Sequence, residues 1–488
     1  MRRAGFTAEP DATRQHPRIA PPPGSLPRTP FGVADELTCY FDVPAEPCTV
    51  HIEVQVRGHV DPDALRLAAA GALAAHPRAI VRLAAAGWWQ HRRHWEQTPL
   101  PDVDPVAVTT WADEEELGRE RARFLGFSPP LDCSPPVRIL LATGPGEDRI
   151  ILNGHHAALD GMSCLDLLGS ISQHYQEAVG AGPAQVQVQP ATPTARPVRQ
   201  GAPAAAAPIP AAPAPAGSGP LAALPRPAAR IVPDLRGDGT QRGSDRSGYG
   251  FRLLVLPVPA IPRSGQEPHP TVNDVLLTAL IVAIARWNAS HARPGGQIRI
   301  TMPINTRPHG VSGAVGNLSR LAAITASVPA DGQRLRPLLA DVAAQTRWAK
   351  DHAGPQVDPV SRALAVAPCP PAIKALMLRL ALRAAGPLLC DTSLVSNLGS
   401  VADPPRFGHA PATGMWFSTY AHMPRGLSVG AVTIGGQLHL CLRYRRALFA
   451  EPAASNFANA YTAALGDVTQ DATIGVRATP PAPPELGA

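Results

Sequence analysis

From about Gly182 to Gly248 the chain is built of Pro, Ala, Gln and Gly, in runs such as Gly201-Ala202-Pro203-Ala204-Ala205-Ala206-Ala207-Pro208. No apolar period runs through this stretch. Burial therefore cannot offset the entropy of ordering it, and a flexible, partly polyproline linker is expected over 182–248. Nothing else constrains the fold as much. It divides 488 residues into two ordered parts, 26–181 and 249–475, with disordered ends expected at 1–25 and 476–488. A chain of this length exceeds one ordinary core, and at 45% hydrophobic it can fill two.

Strand and helix periods alternate in both parts. Thr49 to Arg57 sets Val50, Ile52, Val54 and Val56 on one face and His51, Glu53 and Gln55 on the other, the pattern of a half-buried strand. Asp61-Pro62 starts a helix to Ala75. Val137–Ala142 and Arg149–Asn153 read as buried strands, and Met162–Ala178 as a helix. In the second part Thr271 caps a helix over Val272–Trp287, and Gln297–Met302 is a strand. Gln333–Lys350 is a helix. Ser428–Ile434 and Gln437–Tyr444 form a hairpin about Gly435-Gly436, and Ala450–Leu465 closes as a helix. Two α+β halves with a cleft between them follow, and such clefts favour ligand sites.

Several function classes recede at this point. The seven cysteines include no Cys-x-x-Cys pair, which speaks against a disulfide framework or zinc knuckle and fits a reducing cytoplasm. Met1-Arg2-Arg3 is followed by no apolar stretch, so no signal peptide is expected. No run of about 20 consecutive apolar residues predicts a stable membrane span. Pro371–Leu389 is broken by Lys374, Arg379 and Arg383 and reads as an amphipathic helix, with core packing as the expected role and membrane contact as the alternative. Trp88 to Trp95 mixes aromatic and basic residues but reads as a solvated strand or hairpin, and no nucleic-acid partner is expected. The net charge of +6 suits an acidic partner or a phosphorylated cofactor.

The chemistry concentrates where the strand ending at Asn153 runs into Gly154-His155-His156-Ala157-Ala158-Leu159-Asp160-Gly161. A strand end is a rigid platform for a side chain aimed into a cleft. Of two successive histidines, one can face the cleft while the other packs inward. A neutral imidazole takes a proton near pH 7, the work of a general base. Asp160 is close enough to fix the loop, and Gly161 permits close approach of another backbone. A metal site from His155, His156 and Asp160 lacks convergent ligands, so none is expected. Ser163 lacks the second glycine of a nucleophile elbow.

His155-His156-x-x-x-Asp160-Gly161, followed by Ser163, resembles the HHxxxDG signature of the condensation-domain and CoA-dependent acyltransferase superfamily. Thr271-Val272-Asn273-Asp274 resembles the helix opening that group's second half. Met302-Pro303-Ile304-Asn305-Thr306-Arg307-Pro308 with Gly316-Asn317, and Ser396-Asn397-Leu398-Gly399, resemble two further segments in the same order. The resemblance implies two chloramphenicol-acetyltransferase-like halves forming a V with a central tunnel. It implies transfer of an acyl group from a thioester, on coenzyme A or a phosphopantetheine carrier protein, to a small-molecule amine or alcohol, with no permanently bound cofactor. His156 would be the base, with His155 beside it. Asp160 would be structural and paired with Arg307, and Gly161 would offer an amide to the oxyanion. Ser163, Asn273, Arg307, Ser396 and Asn397 would line the substrate path.

A free-standing monomer in cytoplasmic specialised metabolism, such as nonribosomal peptide assembly, is the expected setting. Arg425, Arg443, Arg445 and Arg446 are candidates for a basic surface at a tunnel mouth. The competing readings are a catalytically inactive docking module of the same fold and a cyclisation catalyst on a tethered substrate.

Overall fold

The computed structural model describes residues 26–87, 89–180, 227–234, 248–261, 269–307, 316–327, 335–352, 359–408 and 411–474. The ends expected to be disordered, and most of the expected linker, lie outside these residues. Within that linker, Pro227 to Asp234 is placed on the second half. Ile231 is buried in its core, and Asn288 holds both the Val232 N–H and the Arg230 carbonyl.

The first half contains β1 (Arg28–Pro30), α1 (Val33–Phe41), β2 (Thr49–Arg57), α2 (Pro62–Ala75), β3 (Val81–Leu83), β4 (His94–Gln97), β5 (Val106–Thr110), α3 (Glu114–Phe124), β6 (Val137–Thr143), β7 (Glu147–His155) and α4 (Gly161–Gly180). The second contains β8 (Tyr249–Pro257), α5 (Val272–Ser290), β9 (Gln297–Asn305), β10 (Ser319–Ser327), α6 (Leu335–Asp351), α7 (Pro359–Val366) and α8 (Pro371–Leu389). It ends with β11 (Ser393–Ser400), β12 (Gly414–Ser418), β13 (Leu427–Ile434), β14 (Gln437–Arg445) and α9 (Glu451–Ile474).

Each half is a mixed sheet backed by helices. The second sheet runs β10-β9-β11-β13-β14-β8. Its core helix α5 is held at its start by a capping box between Thr271 and Asp274, and it packs against α6 and α9. Among the described residues α5 alone is long and apolar enough to cross a bilayer, but it is mostly buried here. The first sheet runs β12-β2-β7-β6-β5. Its edge strand β12 belongs to the second half of the sequence and pairs antiparallel with β2, Trp416 opposite Glu53. The halves therefore share backbone hydrogen bonds, and the sequence boundary is not a spatial one.

That exchange corrects the half-buried reading of β2. His51 and Glu53 are buried on the face expected to be wet. Arg121 of α3 makes a two-pronged ion pair with Glu53, and His51 Nδ1 lies 3.0 Å from Ser418 Oγ of β12. Burial alone would raise the Glu53 carboxyl, but Arg121 holds it far below the usual carboxylate range. A third, small sheet, β1-β4-β3, was not foreseen. Trp95 in β4 is buried and stacked on Phe31 at 4.1 Å, rather than lying on a solvated strand.

Candidate active site

Strand β7 extends two residues further than its apolar pattern suggested, so His155 is its last residue and His156 opens the turn. Chain geometry then separates the two rings. His155 is buried; its Nδ1 accepts the Ala157 N–H at 3.1 Å, and its Nε2 lies 3.4 Å from Asp42 Oδ2. With Nδ1 accepting, Nε2 is the nitrogen that donates toward Asp42. Asp42 also accepts from the Cys48 N–H at 2.7 Å and from Ser128. Burial would raise the Asp42 carboxyl, but His155 brings it below the ordinary value.

His156 points the other way and is partly exposed. Its backbone is pinned from two sides: its N–H donates to Cys48 O at 2.9 Å, and its carbonyl accepts from the Asn317 side chain at 3.3 Å. Its ring meets Tyr420 edge-on at 5.3 Å. Buried Nδ1 has no hydrogen-bond partner among the described residues. Burial lowers the pKa below the usual 6.5, so the imidazole is neutral at neutral pH.

Asp160 is saturated with donors. Arg307 gives it two hydrogen bonds, at 2.9 and 2.7 Å, in a fork-to-fork pair. Ser163 N, Leu318 N and Ser319 Oγ add bonds at 2.9, 2.9 and 3.0 Å. The Ser163 bond caps α4. Burial would raise the Asp160 carboxyl, but Arg307 and these amides hold it below 3.8. Ser163 is itself enclosed: Oγ exchanges hydrogen bonds with Gly316 O and N, both at 2.8 Å, and accepts from Arg307 at 2.7 Å. The structure thus gathers Asp160, Ser163 and Arg307 into one clamp between the halves. Ser163 faces this clamp rather than a substrate path.

A Cβ on Gly161 would stand 3.0 Å from Leu398 and Phe417, so what approaches this glycine is side chains of β11 and β12 rather than a backbone. Ser396 and Asn397 lie on β11 just before Leu398; Asn397 is spent on the Gly399 N–H at 2.8 Å. Asn273 is not brought to the motif by any contact among the described residues; its amide reaches Met302 Sδ at 2.8 Å.

The sequence reading missed Tyr420 and His422, whose rings are 4.9 Å apart. No local pattern marks them, since both follow the crossover strand β12. Burial, then Arg443 and Arg425, push His422 down to about 3, and burial raises the Tyr420 phenol. The surface role suggested for Arg443 and Arg445 is corrected: both are buried. Arg443 donates to Thr49 and lies over the Tyr249 ring at 4.1 Å, while Arg446 is exposed. A cavity of about 680 Å³ lies elsewhere, lined by Glu114, Arg119, Arg252 and Glu451 among others, and contains none of the expected site residues.

No family profile matches the chain. The uncharacterized protein Rv2305 of Mycobacterium tuberculosis is 29% identical over 426 residues, covering 84% of this chain and 92% of that protein. Among solved structures, the first condensation domain of the CDA synthetase superposes with a TM-score of 0.55 at 13% identity, over 91% of this chain and 97% of the other. The epimerization domain from the third module of tyrocidine synthetase B gives 0.54 at 13% identity, over 92% and 99%. The wax ester synthase/diacylglycerol acyltransferase of Marinobacter aquaeolei VT8 gives 0.51 at 14% identity, over 91% and 100%. With its two mixed lobes joined by an exchanged strand, the chain has the fold of these condensation, epimerization and wax ester synthase structures.

Proposed function

We propose that this protein transfers an acyl group from a carrier-protein or coenzyme A thioester to an amine or alcohol, with His156 as general base. The observation that carries the reading is the division of labour in the motif. Asp160 is consumed by Arg307 and three further donors, and His155 by Asp42. Within the motif, His156 alone combines a rigidly held backbone, a partly exposed position and a pKa lowered into the neutral form. A base of this kind contributes roughly 10²–10⁴ in rate. It takes the proton of the attacking N–H or O–H as the new C–N or C–O bond forms, and the thiolate departs. Positioning of two substrates supplies much of the remainder.

Among the described residues, Thr419 Oγ1, His422 Nε2, Arg425 Nε and Arg443 Nε are buried polar atoms with no hydrogen-bond partner. Such atoms suit a polar passage between the halves, and they support the tunnel that the family resemblance implies. The similar structures include condensation domains and a wax ester synthase, which supports a reading open to either an amide or an ester product.

The test is acyl transfer by purified protein, wild type against His156→Ala. Donors are a panel of acyl-CoA and acyl-carrier thioesters, offered with pooled amines and alcohols and read by mass spectrometry. Loss of about 10² or more of the rate is expected. Activity should also fall on acidification below the ordinary histidine value of 6.5 as His156 protonates. Undiminished product from the variant refutes the base assignment. A wild type that binds a carrier protein but transfers nothing favours a docking module.

A further inference from the structure

Helix α8 meets the protein with a modest face and turns its larger apolar side chains to solvent. Lys374 is buried, its ammonium donating to His91 O at 2.7 Å and to Ala365 O at 2.6 Å, and Leu378 and Leu382 are partly covered. Ile373, Leu376, Met377 and Leu380 are 48–56% exposed and share one side of the helix at i, i+3, i+4 and i+7 spacing. This overturns the core-packing expectation for Pro371–Leu389. A contiguous exposed apolar stripe of this kind marks a site of contact with a partner or a membrane.

The surroundings of the stripe indicate which of the two it is. The Lys374–His91 bond ties the segment 89–93 to α8, and Trp89 in that segment is 70% exposed. Val366 of α7 adds another exposed apolar group, at 51%. The exposed charges beside these residues are Arg92, Arg362, Arg379 and Arg383, and no Asp or Glu occurs in 359–389 or 84–95. The nearby Glu36 is buried and bonded to Tyr40. An interface for a folded partner surrounds its apolar centre with mixed polar groups. Among the described residues this surface offers cations on long stems, an aliphatic stripe and a tryptophan, the chemistry of a helix lying in a lipid headgroup layer.

We propose that α7, α8 and the Trp89 loop dock on an anionic phospholipid bilayer. Helix α8 lies in the plane of the interface, its stripe enters the acyl region, and the arginines meet lipid phosphates. Helix α1 packs against both α7 and α8, and its last residue, Phe41, is 6.2 Å from His422, a neighbour of Tyr420. Docking would thus place the membrane one helix away from the rings beside His156. The proposal does not depend on acyl transfer.

The test is co-sedimentation of the full chain with phosphatidylcholine vesicles, with and without phosphatidylglycerol. Wild type is expected to bind the anionic vesicles, more weakly as salt rises. Leu376→Glu with Leu380→Glu should cut partitioning by about a hundredfold. Both positions are exposed, so the circular dichroism spectrum and thermal midpoint should be kept. Arg379→Gln with Arg383→Gln should remove much of the salt dependence without disturbing the stripe. Failure of wild type to bind anionic vesicles overturns the proposal, as does undiminished binding by a folded Leu376/Leu380 variant. A wild-type dimer that the variant splits, with no vesicle binding by either, assigns the surface to a second copy and also overturns it. Binding of a carrier protein through the same residues without vesicle binding does the same.

Discussion

Asp160 and His156 stand four residues apart and do opposite work, because one is fully paired and the other is not. The Asp160–Arg307 pair is almost wholly buried, with side-chain exposures of 2% and 5%. Removing one partner of such a pair leaves an uncompensated buried charge, at a cost of about 3–5 kcal/mol. Arg307→Ala is expected to lower the unfolding free energy by that order, measured by urea unfolding. It should also slow transfer, because it frees the loop that aims His156. Arg307→Lys should restore only part of both, since an ammonium keeps the charge but not the fork. The histidines, Asp160 and its arginine partner were legible as residues in a pattern. Which imidazole stays free was not, because that depends on Asp42 and Tyr420, far apart in sequence.

At the scale of elements, β12 is the decisive piece, and it was not foreseen. It is five residues long, Gly414–Ser418, and has no turn signal that would tie it to the first half. It fits because β13 lets it approach: a Cβ on Gly430 would stand 1.8 Å from Phe417 O, which no backbone tolerates without moving. Gly430→Ala is therefore expected to destabilise the protein by about 1–3 kcal/mol or more. Hydrogen exchange should show the loss concentrated in β12 and β2. Long periodic elements such as α5 and the β13–β14 hairpin were readable because their side-chain period reports burial directly. β2 misled because its polar face is buried through partners, Arg121 and Ser418, that no local period encodes.

For the whole molecule, pH separates two groups at the junction of the halves. His422 has a folded pKa of about 3 against an ordinary 6.5. Between those values the unfolded chain binds a proton that the native chain does not, so stability rises with pH there and falls on acidification from 6.5. One such group contributes up to about 1.4 kcal/mol per pH unit. Asp160, with its pKa depressed below 3.8, stabilises above that value and is lost only as pH falls further. His422→Phe is expected to flatten the dependence between pH 6.5 and 3, measured by chemical unfolding across that range. The acid loss due to Asp160 should remain.

The amino-acid sequence alone determined the two-lobed mixed α/β fold and most long elements, and it singled out the segment proposed to carry the chemistry. Each of these is written in a local signal: composition, a period of 2 or 3.6, or seven consecutive residues. The tertiary structure decided that β12 crosses to the first sheet and that Arg443 lies inside rather than on a basic surface. It also decided that Tyr420 stands beside His156 with His422 next to Tyr420, and that α8 shows Leu376 and Leu380 to solvent. These outcomes depend on contacts between residues hundreds of positions apart, and periodicity says which side chains share a face but not what that face meets.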